Sequence, residues 1–217
     1  PEIENGAYAH VGDWNSMKDA RFLSDLVQNG IRVRRSEQAF QLGGKTWDAG
    51  SLIITRSDNL RKPDFQQVLQ AAVEKHQKPL TPVRTGLVDS GKDFGSRYVG
   101  MIPEPRVAVL SGEPTSTLRF GEVWHYFEQQ LNYPLTVLDA EYFDGVALDQ
   151  YDILVLPDGW GYRIYLKERR KDQLKDCEAD AGRLIAKARA LSNLGGEDGF
   201  YIERMEMEPE DHEEETH

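Results

Sequence analysis

Two residues three apart, His125 and Glu128 in the stretch "VWHYFEQQ", have the spacing with which one large class of zinc peptidases opens its metal site. An imidazole and a carboxylate at i and i+3 share a helix face, so the pair offers two ligands to a divalent cation. A zinc site needs at least a third protein ligand. The other histidines are His10, closing an apolar run, His76, closing a helical stretch, and His212 and His217, in an acidic segment. The last two are five apart, where H-E-x-x-H requires four. No pattern joins any of them to His125. The pair reads as one turn of a surface or half-buried helix, and no metal ligand is assigned.

Other chemistries lack their parts as well. The single cysteine, Cys177, stands in "KDCEAD" within a charged helical stretch. A nucleophilic thiolate needs a base or a helix N-terminus beside it, and neighbouring acids oppose one. It also excludes an internal disulfide, which leaves the redox compartment open. No G-x-S-x-G elbow and no G-x-x-x-x-G-K-[ST] phosphate loop occur, and "GWGYRI" supplies only two of the three glycines of a dinucleotide fingerprint. No catalytic residue is assigned.

What remains is a set of acids and aromatics placed just after apolar runs. Asp13 and Trp14 follow the run at 7–12, Glu113 follows 106–112, Asp139 closes 134–140, and Asp158, Trp160 and Tyr162 follow 151–157. In open parallel sheets ligands bind beyond the carboxyl ends of the strands, so these seven are the candidate binding residues. Their chemistry suits a sugar or a peptide end better than a phosphate. The plainer use of the same residue types is to build turns and cap helices. Paired carboxylates among Asp13, Glu113, Asp139 and Asp158 could also do acid–base work as a weak hydrolase, provided they converge on one cleft.

The elements that must hold them follow from periodicity. Strands are expected at 7–12, 31–35, 51–57, 106–112, 134–140, 151–159 and 183–188, and helices at 16–30, 64–76, 117–133 and 165–182. Residues 78–96 are rich in Gly, Pro and Ser and show at most a short strand. Alternating apolar strands and amphipathic helices predict an α/β fold with parallel sheets and helices on both faces. The pattern repeats at an offset of about 100 residues, which reads as two similar halves, 1–100 and 106–200, with a tail at 201–217.

Composition narrows the partners. The formal charge is −11, but residues 197–217 carry ten acids and one arginine, so the body is near −2. Such a tail repels phosphate and anionic lipid, which disfavours nucleic-acid and membrane partners, and it reads as a solvated linker. No apolar run is long enough for a membrane span. The chain begins at Pro1 with neither an initiator Met nor a signal peptide, and reads as a processed chain or an excised piece of a longer one.

The stretches "NGIRVRRSEQAF", "AGSLIITRSDN", "TGLVDSGKDFGS", "GEVWHYFEQQLNYPLTVLD", "YDILVLPDG" and "GRLIAKARAL" resemble the region downstream of the peptidase domain in a group of large bacterial zinc carboxypeptidases. In these carboxypeptidase A-like metallopeptidases a class I glutamine amidotransferase-like domain follows the catalytic domain. The resemblance spans roughly residues 5–200. It implies a flavodoxin-like fold, an exported parent (periplasmic or secreted) with zinc in its own catalytic domain, and an accessory role for this piece beside that peptidase domain. Active amidotransferases place a Cys at the elbow after a strand such as "RLIA". Residues 186–190 here read Ala-Lys-Ala-Arg-Ala, so the thioester chemistry has no nucleophile. The expectation is a non-catalytic module that binds substrate or packs on a peptidase domain, with no cofactor of its own. The alternatives are an independent carbohydrate- or small-molecule-binding domain, the weak hydrolase above, and a structural spacer.

Overall fold

The four-residue runs "AHVG" and "LIIT" are buried along their whole length, so each is covered on both sides, whichever way its neighbours run. The computed structural model describes residues 1–165, 184–190 and 200–204. The chain divides into two units, the first formed by 1–104 with 130–133 and the second by 105–129 with 134–217. Cys177, most of the expected helix at 165–182, and the tail beyond 204 lie outside the described residues.

The first unit runs β1 (Ala9–Gly12), α1 (Met17–Gln28), β2 (Arg34–Ser36), β3 (Phe40–Leu42), β4 (Lys45–Trp47), β5 (Leu52–Thr55), α2 (Phe65–Lys75), β6 (Thr81–Val83) and β7 (Val99–Met101). The sheet order is β6-β1-β5-β2-β7, and every neighbouring pair is antiparallel. The expected parallel sheet is therefore wrong for this unit. β1 and β2 run the same way with β5 inserted against them, and β5 and β6 flank β1 likewise. Two split β-α-β crossovers make a β-α-β-β-α-β arrangement.

Both helices lie on one face. Phe22 and Leu26 of α1 and Phe65, Leu69 and Val73 of α2 bury against Leu52 and Ile54 of β5. The opposite face, expected to carry helices, is closed by the β3–β4 hairpin and the loop after β6. Phe40, Leu42, Trp47 and Phe94 cover Ala9, Val11 and Ile53 there. At the edge, Pro82 in the middle of β6 stands opposite His10.

A buried ion pair ties the two crossovers. The Asp19 carboxylate, in the first turn of α1, accepts bonds from the amides of Asn15 (2.9 Å) and Ser16 (3.0 Å), from the Ser16 hydroxyl (2.9 Å), and from Lys78 Nζ. Lys78 Nζ also donates to the Asp13 carbonyl at 2.8 Å. The two side chains are only 2% and 8% exposed. Burial opposes the charge on Asp19, but Lys78, the Asn15 amide and the Ser16 hydroxyl outweigh it and hold the carboxyl below its usual range. Arg34 forms a second, two-pronged pair with Asp58 at 2.6 and 2.8 Å. Next to it, buried Asn59 donates to the carbonyls of Arg32 and Thr55 and accepts from the Arg32 amide, fixing the 3-10 turn Ser57–Asn59.

The second unit runs β8 (Val107–Ser111), α3 (Thr117–His125), β9 (Leu135–Asp139), β10 (Ile153–Pro157), α4 (Tyr162–Tyr165), β11 (Leu184–Ala190) and β12 (Phe200–Arg204). Here the parallel expectation holds. β11, β10, β8 and β9 are parallel neighbours in that order, with β12 antiparallel beside β11. Residues 200–204, read from sequence as part of a solvated tail, are strand instead. α3 continues into a π turn over Tyr126–Gln130, so the expected helix at 117–133 ends early. α3 packs on β8 and β10. The other face buries Leu110, Leu138, Phe143 and Leu156 beneath 3-10 turns after β9. The chain is thus mixed α/β, and the two halves are not copies of one plan. The strand order β1-β5-β2 does not map onto β10-β8-β9. Among the described residues, no helix is long and apolar enough to cross a membrane.

Lys78→Met leaves the Asp19 carboxylate buried without its cation. Urea unfolding should show a loss of about 3–5 kcal/mol, partly recovered when Asp19→Asn is added. His10 is buried on β1, and burial lowers its pKa from the ordinary 6.5 against the opposing pull of Glu4. The unfolded chain therefore binds the proton first, and stability should fall as pH drops below 6.5 until the folded imidazole itself titrates. Melting temperatures of the parent and of His10→Phe across pH 5–8 check this, the variant having the flatter profile.

Candidate functional site

Five of the seven candidate residues come together at one end of the second sheet. The loops after β8, β9 and β10 are in contact there. The Thr115 and Gly159 backbones form an isolated bridge, the Ser116 amide donates to the Asp158 carbonyl (3.0 Å), and the Trp160 amide donates to the Pro114 carbonyl (2.9 Å). A Cβ on Gly159 would stand 2.0 Å from the Pro114 oxygen, so no other residue fits without moving the loop. Gly112 faces Asp139, whose Oδ1 would lie 3.5 Å from an added Cβ.

Both aspartates of this cluster bond nearby backbone amides through one carboxylate oxygen each. Asp139 Oδ1 accepts the Glu141 amide at 2.8 Å, and Asp158 Oδ1 accepts the Gly159 amide at 3.0 Å. The Tyr162 hydroxyl donates to the Pro157 carbonyl at 2.8 Å and pairs with Thr115 Oγ1 at 2.9 Å. Burial, set against the Thr115 bond, pushes the Tyr162 phenol up to about 12, so it stays protonated at any ordinary pH. Glu113 is exposed, and Trp160 stands 90% exposed on the crest of its loop. The arrangement presents an aromatic ring on a rigid support, and its aspartates are engaged with backbone.

Asp13 and Trp14 belong to the first unit. The Asp13 carboxylate pairs with Lys45 Nζ at 3.0 Å, and Trp14 lies against Gly50, where an added Cβ would meet its ring at 3.2 Å. The four acids therefore do not assemble within one unit. His125 is exposed in the last turn of α3, and Glu128 lies in the π turn. Among the described residues, no group of three or more His, Cys, Asp or Glu side chains could hold a metal ion.

Sequence reasoning missed a second surface, in the first unit. Two open grooves flank Tyr8, one of about 490 Å³ beside Arg56 and Leu60, the other of about 620 Å³ beside Leu87 and Lys92. Tyr8 sits in the run "AYAHVG", which reads as interior, and no local pattern marks its ring as exposed. Compared with family models, curated proteins and solved structures, the chain matches none.

Removing the hydroxyl in Tyr162→Phe should cost about 1–3 kcal/mol, because Thr115 and the Pro157 carbonyl lose a partner. Gly159→Ala should cost more, since backbone must shift. Urea titrations of both variants followed by far-ultraviolet circular dichroism test this order.

Proposed function

We propose that this chain is a non-catalytic accessory module of a zinc carboxypeptidase-type metallopeptidase, periplasmic or secreted with its parent. Its role is to contact the peptidase domain or the substrate through the strand-end surface of the second unit. The observation that carries the reading is the exposure of Trp160 on a loop whose backbone is tied down. Three loops are locked by Gly159, Tyr162 and backbone bonds, and the ring they support projects into solvent. Tryptophan is among the residues enriched at the energetic centres of protein contacts, where a partner buries it.

The weak-hydrolase alternative draws no support from the same geometry. Asp139 and Asp158 hold backbone amides, and Asp13 holds Lys45 in the other unit. The family assignment itself rests on the sequence resemblance described above.

The test has two parts. The purified, dialysed chain should carry less than about a tenth of a zinc per molecule and release no C-terminal residues from peptides. It should bind the catalytic domain of a zinc carboxypeptidase that possesses such a downstream region, and Trp160→Ala should weaken that binding about tenfold or more. One zinc per chain with peptide release, or binding indifferent to Trp160, overturns the proposal.

A further inference from the structure

The grooves on either side of Tyr8 have the features of a built recognition surface. Tyr8 is clamped by its backbone, its amide donating to the Val83 carbonyl (2.9 Å) and its carbonyl accepting from the Arg56 amide (3.0 Å). Its ring lies on Gly86, where an added Cβ would fall 2.7 Å from the phenol oxygen and 2.8 Å from Cε1. Glycine at 86 is therefore what lets the ring lie flat, and the ring is held in place while remaining 40% exposed.

The surroundings are equally fixed. Arg56 and Leu60 flank the 3-10 turn anchored by Asn59 and Asp58. Across Tyr8, the loop bearing Leu87 and Lys92 is held by the Asp93 carboxylate, which accepts the Val88 amide at 2.8 Å, and by the Phe94 amide, which donates to the Gly86 carbonyl at 2.9 Å. Leu60 and Leu87 are each 69% exposed. With Tyr8 between them they form an apolar row that passes from one groove to the other. Apolar residues held in this way, rimmed by charge, mark a contact surface.

Charge selects the occupant. Of the three cations lining the grooves, Arg84 is answered by Glu4 at 2.8 Å. Asp93 is committed to its own loop. Among the described residues, Arg56 forms no ion pair, and Lys92 meets only the Tyr98 ring, at 5.3 Å. The surface therefore asks for a carboxylate. Both hollows are open grooves, which suits a chain laid across them rather than a small molecule enclosed. A glycan would leave the exposed Leu60 and Leu87 side chains without apolar partners. A polynucleotide needs a run of cations to meet successive phosphates, and among the described residues the two grooves offer only Arg56 and Lys92 without an acidic partner.

We propose that this double groove binds an extended acidic peptide, its backbone crossing Tyr8, apolar side chains resting on Leu60 and Leu87, and a carboxylate taken by Arg56. This site lies in the first unit and does not use Trp160, so it stands or falls apart from the role proposed above.

Fluorescence anisotropy with the whole chain tests it, using a labelled six-residue peptide of alternating leucine and glutamate with an amidated C-terminus. The glutamine counterpart, amidated and as the free acid, separates side-chain from terminal carboxylates. Saturable binding of the glutamate peptide, about tenfold weaker for the amidated glutamine peptide, is expected, and it should weaken as salt rises. Recovery with the free acid would identify the terminal carboxylate as the group that Arg56 takes. Arg56→Gln alters an exposed side chain and should leave the melting temperature unchanged while removing the preference for carboxylate. Tyr8→Ala should weaken every peptide, and Trp160→Ala none. The proposal is overturned by absence of saturable binding, by equal affinity for charged and neutral peptides, by affinity that survives Arg56→Gln, or by tighter binding of an oligoglucuronate than of any peptide.

Discussion

The first unit depends on two charges withdrawn from water. Asp19 and Lys78 would each be costly to bury alone, and together they are tolerable because each also finds hydrogen-bond partners beyond the other. Asp19 takes the amides at the start of α1, and Lys78 takes the Asp13 carbonyl as well. Lys78 stands three residues before β6, so the pair fixes where the chain leaves α2 and re-enters the sheet. That placement sets β6 against β1 and delivers the Val83 carbonyl to the Tyr8 amide. The exposed ring at one end of the sheet is thus positioned by a network at the other.

The two units make opposite use of their loops. In the second, Asp139, Asp158 and Tyr162 turn their polar atoms back on the backbone, which produces rigidity at the expense of chemistry. In the first, the loops are held by bonds from Asn59, Asp58 and Phe94, which leaves Arg56, Leu60 and Leu87 exposed. Rigid support with the contact residues projecting belongs to binding surfaces, where ordering the side chains in advance lowers the entropy lost on association.

Element type was legible in the sequence where periodicity was strong. α1, α2, β5, β8 and β10 fall within the stretches their apolar spacing predicts. Direction was not legible. "LIIT" is buried on both faces of an antiparallel sheet and "ILVLP" sits within a parallel one, and residue type carries no sign of the difference. The supposed duplication came from the same blindness, because recurring apolar runs record burial and leave strand order open. The β3–β4 hairpin went unseen although "FQLGGKTW" alternates around Gly43-Gly44, the usual signature of a tight turn. The strand-end acids were found where expected in the second unit, but their bonds to backbone amides depend on loop contacts that no local pattern encodes. Tyr8 was hidden for a tertiary reason as well, since the place where its ring lies is made by Gly86, far along the chain.

Pro82 has an effect beyond its own strand. A sheet margin is a template on which another chain can continue the ladder, and repetition of that event gives fibres. At the β6 margin the middle residue of three has no N–H to offer, and the opposite margin, β7, is equally brief. A passing strand would find too few consecutive donors to register itself. The first unit can therefore display a leucine–tyrosine–leucine row to solvent without also inviting its neighbours to polymerise along the sheet.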